Sequence, residues 1–277
     1  MSVLQQAGSL PLPGVVLKTT NMIRPEIPAP KLARSFNRNG GLDLWVTAAC
    51  CTIILILLLL PVLQTQPVSR GPSPCKKNLK QIGPALHNYH DTYKCFPPAF
   101  VLGPDGMPWH SWRALILPFL EDESFAKKYR FDEPWNGPNN SKLLAQRPEV
   151  FACRGHDGVV NVPKWQTNYV AVVGSETVWP GASSTQVSDI ADGTSNTVLV
   201  IEVRDAGIPW LAPDDLSFSE ASAPPTEHSG RHPSSVHTGG GHVLMGDGTV
   251  RFVNTNVSPD LWKGLLTRAG GEEISDF

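Results

Sequence analysis

The chain has 277 residues, 41% hydrophobic and 17% charged, with 23 basic against 25 acidic side chains and a formal net charge of −2. That balance supplies no cationic field for nucleic acid, and a single long apolar run in an otherwise mostly polar chain excludes a protein wholly embedded in a membrane. Its 26 prolines and 24 glycines favour short strands joined by loops over a helical bundle.

Residues 1–43 read as a disordered arm, because Pro11, Pro13, Pro25, Pro28 and Pro30 leave no room for a long helix. So long a polar stretch ahead of the apolar run is unlike a cleavable secretory signal, whose charged tip is short. From Leu44 to Leu63 the chain is almost continuously apolar, with Thr47 and Pro61 among its few breaks. About 20 such residues at roughly 1.5 Å each span a hydrocarbon core of about 30 Å, so a single transmembrane helix is expected over 44–63, with the lipid bilayer as its partner. The alternative, a buried helix of a soluble core, requires an apolar stripe, whereas residues 53–60 are apolar on every face. Lys31, Arg34 and Arg38 ahead of the span favour a cytoplasmic N-terminus, but Arg70, Lys76, Lys77 and Lys80 beyond it leave charge alone undecided.

Residues 64–74 hold Pro67, Pro72 and Pro74 and read as an extended neck. A domain over 75–277 follows. In its first helix Leu79, Ile82, Leu86 and Tyr89 recur at helical spacing, Lys76, Lys77, Lys80 and Gln81 take the outer face, and Pro84 kinks the element or marks a new start. Phe96-Pro97-Pro98 closes it. Trp109 to Glu121 is predicted as a short helix limited by Pro118. Tyr169 to Val173 reads as a fully buried strand ending at Gly174, and Val198 to Val203 as another. Asp192-Gly193-Thr194-Ser195-Asn196 between them has the residues of a tight turn. His242 to Val253 is predicted as a β-hairpin around Gly246-Asp247-Gly248, entered through a flexible Gly239-Gly240-Gly241, and Pro259 to Leu266 as a final helix.

Cys75, Cys95 and Cys153 lie in the domain, with Cys50 and Cys51 in the apolar run. One bridge is allowed if the domain is exported: Cys75 with Cys153 is the pairing expected, Cys95 the competing partner, and three reduced thiols the alternative. No CxxC pair occurs, which argues against a zinc site built from them. His228, His232, His237 and His242 recur every four or five residues in a loop; imidazoles brought together can hold zinc or copper, but a solvated or hydrogen-bonded loop explains the spacing equally. Ser195, His237 and Asp247 are the residue types of a hydrolase triad, without the G-x-S-x-G elbow around Ser195. His237, Asp247 and Asp192 supply oxygen and nitrogen donors of the kind a Ca²⁺ site uses, without a dense acidic loop. A structural role for the pair is preferred, with Asp247 making the hairpin turn and His237 bonding across its base. No cofactor or metal is expected, and no enzyme activity.

His237, nine intervening residues, then Asp247-Gly248 resembles the signature of the bacterial prepilin-type family named for its His-x9-Asp-Gly domain. The likeness continues through Cys75 to Asp91, Phe96-Pro97-Pro98, Ser111-Trp112-Arg113, Leu117 to Glu121, Asp192 to Thr197 (with Gly193, Ser195 and Asn196), Glu202 and Ala269 to Glu272. The resemblance implies an α+β, pilin-like or pseudopilin-like domain with antiparallel sheet. It implies an N-terminal helix in the inner membrane, the arm in the cytoplasm and the domain periplasmic or extracytoplasmic. Other pilin-like or secretion components are its implied partners. Gly40-Gly41-Leu42-Asp43-Leu44 stands where the family carries Gly-Phe-Thr-Leu-x-Glu, a departure that argues against processing, for which Gly41 and Leu42 would be the site. Asp43 does not match the acidic fifth position through which pilins pair inside a membrane. A proline-rich neck also replaces the continuous first helix of a fibre subunit, which favours a tethered domain.

Overall fold

A computed structural model describes residues 45, 48–55, 74–121, 124–155, 161–272 and 274. The arm 1–43, the Gly41/Leu42 site, most of the 44–63 span and nearly all of the 64–74 neck lie outside these residues. The chain divides into two units, Met1–Gln66 and Pro67–Phe277. In the first, residues 48–55 are helical and exposed. Among the described residues no helix is long and apolar enough to cross a membrane.

The second unit is α+β. It opens with α1, Pro74–Tyr93, which buries Cys75, Leu79, Ile82, Ala85 and Leu86 along one face. Its first residue belongs to the sequence assigned to the neck: proline is tolerated at a helix start, where its missing N–H would have no partner. Pro84 neither ends nor restarts the helix. It faces solvent, as does Lys80 one turn earlier, so water can replace the amide that Pro84 withholds.

Trp109 to Glu121 is not one helix. Pro108–Ser111 forms β2, antiparallel to β1, Phe100–Leu102. Only Trp112–Leu115 is α-helical (α2), capped by Ser111, and Leu117–Phe119 is a 3-10 turn. The apolar density there served a strand, a helix and a turn that all border the core.

The predicted strand Tyr169–Val173 is split. Tyr169–Val170 (β3) pairs antiparallel with Val198–Glu202 (β5), whereas Val172–Val173 (β4) pairs parallel with Leu216–Ser217 (β6), just ahead of the short helix Phe218–Ala221 (α3). The main sheet runs β3-β5-β7-β8, all neighbours antiparallel, with β7 Gly240–Met245 and β8 Val250–Asn254 forming the predicted hairpin. The last helix, α4, spans Pro259–Leu266 and is capped by Ser258. Along β7, Leu244 joins the core under α1, while Val243 and Met245 join the core under α4 with Trp262, Leu265 and Leu266. The sheet is covered on both faces, as alternating side chains from a buried strand require.

Gly240 and Gly241 are not a flexible entry but part of β7, and both are buried. A Cβ on Gly240 would lie 2.0 Å from the Val253 carbonyl oxygen, and one on Gly241 would lie 3.3 Å from Ser235 Cβ and 3.7 Å from a Glu202 carboxylate oxygen. Gly240 thus lets the neighbouring backbone approach closely.

A second buried constellation fixes the fold. Arg113, fully enclosed, donates to Asp215 Oδ1 at 2.6 Å and to the carbonyls of Trp210, Ala212 and Asp214. Asp215 Oδ1 also accepts from Trp112 Nε1 at 3.1 Å and from the Ala171 amide at 2.8 Å. Every group is satisfied by a partner distant in sequence, which is what makes a buried ion pair tolerable.

Candidate functional site

The residues of the His-x9-Asp-Gly pattern lie at opposite ends of β7, whose five steps at about 3.4 Å separate them by roughly 17 Å. At the tip, Asp247 Oδ1 accepts from the Thr249 amide at 2.8 Å and its hydroxyl at 2.7 Å, and Gly248 adopts φ +82°. The tip docks on the predicted turn, with the Gly246 amide donating to Thr197 O at 2.7 Å and the Asp247 amide to Thr194 O at 3.0 Å. That turn is held in place from the far end of the chain, because Asp192 accepts from the amides of Gly270 and Gly271 at 2.7 and 2.9 Å. Gly193 takes φ +92°, and Asn196 Nδ2 donates to Asp192 O at 3.1 Å. Asp192, Gly193, Asn196, Asp247 and Gly248 are thereby accounted for as one docked pair of turns.

His237 lies ahead of β7 beside Glu202 and Cys153, away from Asp247 at the hairpin tip. The hydrolase grouping with Ser195, which sits in the docked turn, is not assembled, nor is a Ca²⁺ site from His237, Asp247 and Asp192. Of the four loop histidines, His237 and His242 meet, with ring centroids 4.8 Å apart. His232 instead pairs with Thr226 Oγ1 at 3.0 Å, and His228 is exposed.

What surrounds His237 is chemically denser than the tip. Cys75 and Cys153 form a disulfide between the first turn of α1 and a loop 78 residues on; Cys95 stays a thiol, 3.6 Å from Tyr93 O. His237 Nε2 lies 3.8 Å from Cys153 Sγ and 3.7 Å from Glu202 Oε1. Glu202, at the end of β5, has a side chain only 2% exposed. Its Oε2 accepts from the Ser235 hydroxyl at 2.8 Å and the His242 amide at 2.9 Å, and lies 3.6 Å from His242 Nδ1. Its Oε1 is buried with no hydrogen-bond partner among the described residues. One donor atom each from Cys75, Cys153, Glu202 and His237 lies within 4.8 Å of the others. Tyr169, fully buried, donates to Cys75 O at 3.3 Å, and desolvation together with the nearby Glu202 carboxylate pushes its phenol well above the usual range.

Glu202 was visible in sequence as the single carboxylate in the strand Val198 to Val203, but only as part of a motif. A charge inside an otherwise apolar strand is the signal that marks it. Elsewhere, a cleft of about 360 Å³ beside α1 is bordered by Gln81, Leu120, Phe125, Arg147 and Glu149.

The geometry defines an α+β domain whose first helix is bridged to its body beside a buried His-Glu pair. Residues 73–176 and 214–260 match the family described as "Protein of unknown function (DUF1559)", and the chain belongs to that family. No curated protein and no solved structure matches the chain.

Proposed function

We propose that the protein is a membrane-tethered envelope protein whose pilin-like domain lies on the periplasmic or extracytoplasmic side and serves as a structural or binding module without catalytic activity. In this reading residues 44–63 anchor it in the inner membrane and residues 1–43 stay in the cytoplasm. The observation that carries the proposal is the Cys75–Cys153 disulfide. Such bridges persist in oxidising compartments, outside the cytoplasm. This one ties down the point where the chain arriving from the apolar segment enters the fold, so pulling on a tether would load the bridge before it peeled α1 from the core.

The pilin-like description is supported by α1 lying against the hairpin of a four-stranded antiparallel sheet, and by the motif order given above. The cleft beside α1 offers a surface for a partner, for which other pilin-like or secretion components are the first candidates.

Intact mass of the protein extracted from bacterial membranes, alkylated without reductant, tests the proposal. A full-length chain in the membrane fraction with two thiols protected from alkylation is expected. A chain beginning at Leu42 would favour a processed pseudopilin that assembles with others. Recovery from the soluble cytoplasmic fraction, or alkylation of all five cysteines in the folded protein, would overturn the envelope assignment.

A further inference from the structure

We propose that the Cys75–Cys153 disulfide is the oxidised state of a Cys₂-His-Glu site that binds a zinc-class divalent ion when the bridge is reduced. The inference is independent of the membrane tether, since every donor lies within the domain.

Four donors arrive from four separate places: the first turn of α1, the loop at Cys153, the end of β5 and the segment before β7. Around a tetrahedral zinc with bonds of about 2.0–2.3 Å, neighbouring donor atoms stand roughly 3.3–3.8 Å apart. His237 Nε2 is 3.7 Å from Glu202 Oε1 and 3.8 Å from Cys153 Sγ. The nitrogen–oxygen separation is long for a hydrogen bond, the nitrogen–sulfur one is that of a weak hydrogen bond to sulfur, and both match the spacing of ligands sharing an ion. The missing CxxC is no obstacle, because the fold supplies the convergence that a local motif supplies in small zinc domains.

A second observation comes from Glu202. A carboxylate oxygen buried at the end of a core strand with no hydrogen-bond partner among the described residues is costly. Its sister oxygen is oriented by the Ser235 hydroxyl and the His242 amide, the kind of outer support that positions a metal-binding carboxylate. The unsatisfied oxygen faces His237, whose side chain is 12% exposed and so opens the site to solvent.

The switch is balanced in two steps. A dithiol reductant gives two electrons and two protons to the Cys75–Cys153 bond, which breaks to two thiols while the reductant closes to its own disulfide. The divalent ion then displaces both thiol protons to solvent and takes two thiolates, the His237 nitrogen and the Glu202 oxygen. Reoxidation, with an acceptor of the two electrons such as a protein disulfide, expels the ion.

The test uses the full-length chain in detergent, with Co²⁺ as the probe. A phosphine reduces the bridge without competing for metal, becoming its oxide with oxygen from water. Reduced protein is expected to take up one equivalent of Co²⁺, with thiolate-to-cobalt charge transfer and tetrahedral visible bands that Zn²⁺ abolishes. The untreated, bridged protein serves as its own control and shows neither. Glu202→Gln and His237→Ala, each checked for fold by near-ultraviolet circular dichroism, are expected to weaken binding at least ten-fold. Absence of these bands after reduction, with or without unfolding, overturns the proposal. So does unchanged affinity in both folded variants.

Discussion

Gly83 of α1 and Leu244 of β7 meet so closely that a Cβ on the glycine would lie 3.0 Å from Leu244 Cδ1 and 3.4 Å from the Gly248 carbonyl oxygen. The first helix is thus seated on the hairpin at a position where a side chain would press against it. Gly83→Leu is expected to destabilise the domain by about 2 kcal/mol through overpacking. Urea denaturation checks this, and an unchanged midpoint would show that α1 is not seated there.

Gly240→Ala meets a harder obstacle, since its Cβ would sit 2.0 Å from the Val253 carbonyl oxygen in the adjoining strand. Backbone cannot swing aside as a side chain can. The expected cost is about 3 kcal/mol, with the base of the β7–β8 hairpin losing amide protection in hydrogen exchange.

Replacing Cys75 and Cys153 together by alanine opens a loop 78 residues long. Chain entropy alone assigns such a bridge about 4.5 kcal/mol. Denaturant midpoints of the double variant and of the native protein, both without reductant, measure the loss, and a difference below ~1 kcal/mol would mean the bridge contributes little to folding.

His110 is buried, and its Nδ1 lies 2.7 Å from Tyr129 Oη. Burial pushes its pKa below the ordinary 6.5, against a smaller opposing effect of the Phe131 backbone. Between the folded and unfolded values the unfolded chain binds the extra proton. The stability that His110 contributes is therefore complete above pH 6.5 and is lost as pH falls through the folded value. His110→Gln should flatten the fall in unfolding free energy between neutral and mildly acidic pH; an identical slope in both proteins would show that His110 does not titrate on unfolding.

Asp192→Ala removes two charge-assisted bonds to the amides of Gly270 and Gly271. At an exposed site this costs about 1 kcal/mol, concentrated on the segment after α4. Limited proteolysis should cut there first in the variant, while the global midpoint moves little.

Where a signal is carried by neighbours in sequence, it was legible. Leu79, Ile82 and Leu86 mark the buried face of α1, Pro259 marks the start of α4, and Asp247-Gly248 marks the hairpin tip. Each follows from a period of 3.6, a helix-start proline or a turn conformation, all set within a few residues. The Cys75–Cys153 bridge was one of several pairings left open, because no spacing rule distinguishes three thiols in sequence.

What tertiary structure alone decided is where distant groups converge. Trp109 to Glu121 was divided because Pro108–Ser111 found a strand partner in Phe100–Leu102, a choice of pairing that its own apolar pattern does not encode. Gly240 and Gly241 became buried strand because they pair with Asn254 and Val253 of β8. His237 and Asp247, paired in one motif, were set apart by the extended strand β7 between them, while Cys75, Cys153, Glu202 and His237 were drawn to one point from distant parts of the chain. Periodicity and turn chemistry act over a few residues, but the meeting of donors depends on how the helix and strands pack, and that is settled only when the whole core closes.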